Sequence, residues 1–198
     1  VLMTDTKEKI LITALHMFAR DGYEAVSVSA ISGELGMTKG ALYKHYKNKR
    51  DIFDSIVERM YEIDAERSKQ YQVPNEQECK QSVSWDSIRQ FTVAQFIFWT
   101  KDDFARSFRK MLCLEQYRSE EMALLYQGCV GYGPVDYMES IFKQMMSDGM
   151  LKNTDPKLLA LEYYAPMFLL ISNAEHLDTE QSIALLKKHI DRFIGKNS

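Results

Sequence analysis

The sequence predicts an all-α protein, on three observations. Nearly every stretch of the 198 residues repeats its apolar side chains at steps of three and four. No stretch alternates apolar and polar residues as a half-buried strand would. Ser, Thr, Asp or Asn precedes most of the periodic segments, where a helix needs an acceptor for its first N–H groups.

Composition narrows the class. Apolar residues make up 45 % of the chain, which excludes disorder and supplies a sound core. The net charge is −3, but residues 1–50 carry eight Lys/Arg against five Asp/Glu, so the basic character is local. Cys79, Cys113 and Cys129 are widely spaced and form no metal-ligand pattern, so free thiols in a reducing compartment are expected. Residues 4–9 are polar where a secretory leader would turn apolar, and the longest apolar run, 158–171, is interrupted by Glu162 and Pro166. A cytoplasmic protein with no membrane partner is expected.

The first helix starts near Asp5, with Glu8 as capping-box partner, and lines up Ile10, Leu11, Ala14, Leu15 and Phe18 until Asp21-Gly22 ends it. Ser27 caps a short second helix carrying Val28, Ile31 and Leu35, which Gly36 stops. Thr38 caps a third, expected to run through Tyr46, leaving only Gly36-Met37 as the turn. Two short helices joined by so tight a turn make a helix-turn-helix, whose second member enters the major groove of DNA. Leu42 is its inward anchor, whereas Lys39, Gly40, Tyr43 and Lys44 point elsewhere.

Asn48, with Asp51 three residues on, opens a fourth helix to about Tyr71. Lys49 and Arg50 lie in its first turn, the wrong sign for the positive end of a helix dipole unless a phosphate is bound there. Residues 72–84 read as a polar loop. Two aromatic-rich helices follow, marked by Trp85, Ile88, Phe91, Gln95, Phe98 and Trp99, and by Phe104, Phe108, Met111 and Leu112. Gly128, Gly131, Gly133 and Pro134 break the chain before a helix over 135–147. Asp155-Pro156 opens a helix over 158–173, apolar nearly all round, in which Pro166 is expected to produce a kink. Asp178 opens the last, where Ile183, Leu186, Ile190 and Phe193 step like a helix-to-helix seam; two helices from each of two chains would then form a four-helix interface.

These residues resemble the tetracycline-repressor (TetR) family of bacterial transcription regulators. The resemblance rests on Gly22-Tyr23, on Val26-Ser27-Val28 with Ile31, on Leu35-Gly36-Met37-Thr38-Lys39-Gly40-Ala41-Leu42-Tyr43-Lys44-His45-Tyr46, and on Asn48-Lys49, so it covers roughly residues 5–55. Val26 stands where Thr is common, Met37 where Val is usual and Tyr46 where Phe is. The resemblance implies a helix-turn-helix DNA-binding domain over 1–48 and a helical ligand-binding and dimerisation domain over 49–198. It further implies that Ser27, Tyr43 and Lys49 contact phosphates, that Lys39, Gly40 and Lys44 lie at base edges next to the capping Thr38, and that His45 touches either base or backbone. The partners implied are a near-palindromic DNA duplex, a second copy of the chain through its last two helices, and a small-molecule effector.

For that effector, Phe91, Gln95, Trp99, Met111, Tyr117, Tyr163 and Phe168 are candidate lining residues, and their aromatic and thioether character suits an apolar or aromatic compound. Glu162, among Leu161, Tyr163 and Tyr164, needs a partner if buried. Two rival readings stand beside this one: a DNA-binding regulator with no effector, and an all-α enzyme. The second has no support, because His16, His45, His176 and His189 are scattered and no nucleophile, metal-ligand or cofactor spacing appears. No metal and no cofactor are expected.

Overall fold

Asp5 begins the first helix by accepting the Lys7 N–H at 3.1 Å, and α1 follows over Thr6–Asp21. Glu8 does not close a capping box; it pairs with Arg59 at 2.6 Å. In this computed structural model residues 5–71, 73 and 83–197 are described, and they are all-α, with no strand among them. The other helices are α2 (Val28–Glu34), α3 (Lys39–Leu42), α4 (Lys49–Gln70), α5 (Trp85–Lys101), α6 (Asp103–Glu115), α7 (Glu120–Cys129), α8 (Gly133–Ser147), α9 (Pro156–Ser172) and α10 (Thr179–Asn197).

Most boundaries follow from capping chemistry. Ser27, Thr38 and Asp102 accept the N–H groups of Ala30, Ala41 and Ala105, and Asp155 accepts those of Lys157 and Leu158. Three differences from the sequence reading stand out. Helix α3 is four residues long and passes at Tyr43 into turns, because 3₁₀-like bonds from Lys44 to the Ala41 carbonyl and from His45 to the Leu42 carbonyl replace the α pattern. Helix α7 was not anticipated; its first turn is Glu120-Glu121, favourable at a helix N-terminus. Helix α8 starts at Gly133, with Pro134 in its first turn. Helix α9 continues through Pro166.

By packing, the chain forms two units. The first takes Val1–Ile63 and Asp102–Tyr126, the second Asp64–Lys101 and Gln127–Ser198. In the first, α1 packs along α6. Its core includes Ile10, Leu15 and Phe18 of α1, Ile31 and Leu42 of the short helices, and Phe108, Met111 and Leu112 of α6, each completely buried. A side chain of that size contributes roughly 1.5–3 kcal/mol on burial.

In the second unit α8 packs on α9, and α10 lies against α5 and α9. Its core is aromatic: Phe142 stacks on Phe193 at 5.6 Å, and Tyr163 meets Phe193 edge-on at 4.9 Å. This corrects one expectation. Leu186, Ile190 and Phe193 are buried within the single chain, so they do not form a seam between two chains. The solvent-facing apolar residues of these helices are instead Leu158, Leu161 and Leu169 of α9 and Leu185 of α10.

Of the predicted 72–84 loop, residues 72 and 74–82 lie outside the described residues, as does Cys79; Ser84 caps α5 by accepting the Ser87 N–H at 3.0 Å. Cys113 and Cys129 are free thiols. No described helix is long and apolar enough to cross a membrane.

Candidate nucleic-acid interface

The short helices present their polar residues outward because the chain around them is pinned from behind. Leu42 is completely buried, and Tyr46, 2 % exposed, donates its O–H to the Lys7 carbonyl at 3.3 Å. Burial, with Glu8 nearby, pushes the Tyr46 phenol up to about 12. Between α2 and α3, Gly36 adopts φ +64°, a left-handed conformation most side chains resist, and the Met37 N–H returns to the Ser32 carbonyl at 2.9 Å. The residues left exposed are Thr38, Lys39, Gly40, Tyr43 and Lys44, with His45 half-buried. Gly40 has no side chain to hold a duplex away.

Ser27 and Thr38 spend an oxygen lone pair on their caps, at 3.1 and 3.2 Å. A hydroxyl that accepts a cap bond still has its own hydrogen to donate, so each can also meet a phosphate oxygen.

The five cations of the 36–50 stretch separate into two kinds. Lys39, Lys44 and Lys47 are exposed and form no ion pair among the described residues. Arg50 is committed: it donates to Asp54 at 2.6 Å and to both carboxylate oxygens of Glu121 at 2.5 and 2.8 Å. These partners raise the Arg50 pKa and lower that of Glu121. Lys49 is partly committed. Its ammonium donates to the Tyr23 carbonyl at 2.8 Å, sits 4.2 Å above the Tyr23 ring and lies 3.9 Å from Glu24. An ammonium has three N–H donors, so one remains for a phosphate.

The start of α4 is prepared for an anion as well. Asn48 accepts the Asp51 N–H at 2.9 Å while Asp51 accepts the Lys47 N–H at 2.8 Å. The first N–H groups of the helix, those of Lys49 and Arg50, have no intrahelical carbonyl to reach.

Sequence reasoning quoted Tyr23 without a role and missed Glu115, Arg118 and Glu121. Glu115 lies 92 positions from Tyr23 and Glu121 71 positions from Arg50, while Arg118 pairs with Glu115, so nothing local to the turn or to α4 marks them.

The residues singled out for an effector do not gather in one place. Met111 and Tyr117 belong to the first unit; Met111 is completely buried core and Tyr117 is 89 % exposed in the turn after α6. The other six belong to the second unit. Tyr163 is a core residue, paired through its hydroxyl with Thr92 at 2.8 Å, and Glu162 is exposed and pairs with Lys196 at 3.4 Å, so it needs no ligand to neutralise it. Trp99 is buried beside Phe98, and Phe168 lies 6.2 Å from Tyr164. Phe91 and Gln95 sit in a half-buried neighbourhood the sequence did not reveal: Tyr71 and Tyr137 flank Phe91, and Gln95 bonds Arg67 and Asp64. The Arg67 guanidinium lies 4.3 Å over the Phe98 ring. Among the described residues no group of three His, Cys, Asp or Glu side chains is placed to hold a metal ion.

Residues 10–56 match the model of the family described as bacterial regulatory proteins, tetR family. The chain is similar to the HTH-type transcriptional regulator AcrR of Shigella flexneri, with 39 % identity over 54 residues, which is 27 % of this chain and 25 % of AcrR. Across the first curated relatives the alignments span about a fifth to a third of those proteins' length. Over nearly the whole chain the fold is similar to that of SmeT, the repressor of the Stenotrophomonas maltophilia multidrug efflux pump SmeDEF, at TM-score 0.66 and 24 % identity, covering 98 % of this chain and 91 % of SmeT. The SmeT–triclosan complex gives a TM-score of 0.70 at 21 % identity, covering 97 % and 91 %.

Proposed function

We propose, from the premise that the chain belongs through residues 10–56 to the tetR family of bacterial regulatory proteins, that it is a cytoplasmic, non-enzymatic transcriptional repressor. In this reading it binds a near-palindromic DNA operator as a homodimer and is released by a small molecule. The observation that carries it is the exposed segment Lys39, Gly40, Tyr43 and Lys44, pinned from behind by Leu42 and Tyr46 and carrying uncompensated cations in a chain whose net charge is −3.

The roles divide as the chemistry suggests. Lys39 and Lys44 donate to acceptors on base edges, Gly40 allows close approach, and His45 touches base or backbone. Ser27, Tyr43 and the remaining Lys49 donor hold phosphates, joined by the free N–H groups at the start of α4. Residues 1–48 do the reading, and 49–198 serve dimerisation and the effector.

For the dimer, α9 and α10 remain the choice, but through Leu158, Leu161, Leu169 and Leu185, which the single chain leaves exposed. Two reading segments would then stand about 34–36 Å apart, one turn of DNA. For the effector, the neighbourhood of Phe91 and Gln95 is the better candidate, with an apolar or aromatic compound as occupant; SmeT, of the same fold, is known in complex with triclosan. The division of residues between two packing units that share α4 and α7 supports a response of the reading segment to such a compound.

In vitro selection from random duplexes tests the reading. Enrichment of an inverted repeat is expected, and no enrichment at low salt would sink it. A regulator without an effector would enrich the same repeat and release it for no compound in a broad apolar panel.

A further inference from the structure

Tyr23 is held by its ring, its carbonyl and its N–H. Its ring lies edge-on to Phe18 at 5.1 Å and to Phe53 at 5.3 Å. Its carbonyl accepts the Lys49 ammonium at 2.8 Å, and its N–H donates to the Glu115 carboxylate at 3.1 Å. Glu115 is the last residue of α6, its side chain 2 % exposed, and it also pairs with the Arg118 guanidinium at 3.3 Å. A carboxylate withdrawn so far from water is costly unless it is used, and its use here is a backbone N–H 92 residues away.

The approach is made possible by Gly22. Its φ of +87° is a left-handed conformation, and a Cβ there would stand 2.6 Å from the Glu115 Oε1 atom. Only glycine accommodates both demands. The held turn leads through buried Val26 to Ser27, the cap of α2. At the opposite end of α6, Asp103 lies 2.6 Å from His16 of α1. Helix α6 therefore holds α1 partway along and again just past its end.

We infer that Glu115 is a positioning residue for DNA reading: it fixes the 22–25 turn, and through that turn it sets where the Ser27 hydroxyl and the Lys49 ammonium stand relative to a duplex. The inference deepens the repressor reading and rests on it. A hydrogen bond tolerates only a few tenths of an ångström of slack before it weakens steeply. A small shift of α6 is thus converted into release of the Tyr23 N–H and loosening of two phosphate contacts, while Lys39 and Lys44, on the far side of Thr38, keep their base edges.

The test compares wild type, Glu115→Ala and Glu115→Gln on the duplex enriched in vitro, with active protein counted by titration. Glu115→Ala is expected to bind about tenfold more weakly, with a smaller salt slope and unchanged base preference. A double-mutant cycle with Lys49→Ala should be non-additive, because both changes act on Tyr23. Glu115→Gln, which keeps an oxygen for the Tyr23 N–H but loses the charge, should recover part of the affinity, to about threefold below wild type, and amide exchange at Tyr23 should rank wild type slowest and Glu115→Ala fastest. If Glu115→Ala does not fold, Glu115→Gln decides: faster Tyr23 exchange with affinity down about threefold supports the inference, and wild-type exchange and affinity overturn it. Folded Glu115→Ala with wild-type affinity and slope, or strict additivity with Lys49→Ala, also overturns it. Failure of the repressor reading itself would show earlier, as a wild type that enriches no duplex.

Discussion

The segment around Thr38–Lys47 and the first turn of α4 look alike in sequence and differ in what they leave free. In the first, the side chains of Lys39, Lys44 and Lys47 are exposed and form no ion pair among the described residues. In the second, Arg50 is held by Asp54 and Glu121, and Lys49 gives most of its donors to the Tyr23–Glu24 turn. A cluster of positive residues is therefore not a measure of available positive charge. In the proposed reading the free lysines discriminate between bases, whereas Lys49 ties a phosphate contact to the packing of the first unit.

Four substitutions test that contrast, taken from the largest expected effect. Leu42→Ala removes a completely buried anchor from beneath the free lysines. It should cost about 2–5 kcal/mol in denaturant unfolding and abolish DNA binding with it. If stability fell and binding survived, the outward face would not depend on that anchor. Lys44→Ala should leave the unfolding midpoint alone and cost roughly 1–3 kcal/mol of discrimination at one base position, read from a second round of selection. Lys49→Ala should do the reverse, lowering the salt slope by about one and losing about 1–2 kcal/mol of stability as the Tyr23 contacts go. Identical behaviour of the two lysine variants would erase the distinction.

The smallest effect concerns Tyr46. Its phenol is raised to about 12 from the usual value near 10, so the folded state favours the protonated form. The stability this provides is complete below pH 10 and is lost as pH rises from about 10 to 12. Tyr46→Phe should flatten that alkaline loss in a pH series of melting temperatures, and an unchanged slope would show that Tyr46 does not titrate with unfolding.

The fold of the segment proposed to read DNA was legible because its determinants are local. Ser27, Gly36, Thr38 and Asn48 act on N–H groups within three residues or on their own φ, so spacing alone located the caps and the turn. The length of α3 was not, since choosing between α and tighter bonds at residues 43–46 depends on where Tyr46 must reach to meet Lys7. The second unit was legible only as helices. Heptad spacing in α10 correctly marks Leu186, Ile190 and Phe193 as an inward stripe, but a stripe does not say whether its partner is the same chain or another, and here it is Phe142 and Tyr163. Glu162 illustrates the same limit: apolar neighbours in sequence put it on an apolar helix, yet its own position faces Lys196 and solvent. Glu115, with no local signal, emerged only from the fold.

The most direct measurement of the central claim is amide chemical-shift mapping of the chain titrated with its enriched duplex. The account predicts the largest changes at Ser27, at residues 38–45 and at the first N–H groups of α4, with smaller ones at Tyr23. Changes centred on α8 and α9, with residues 38–45 unmoved, would contradict it.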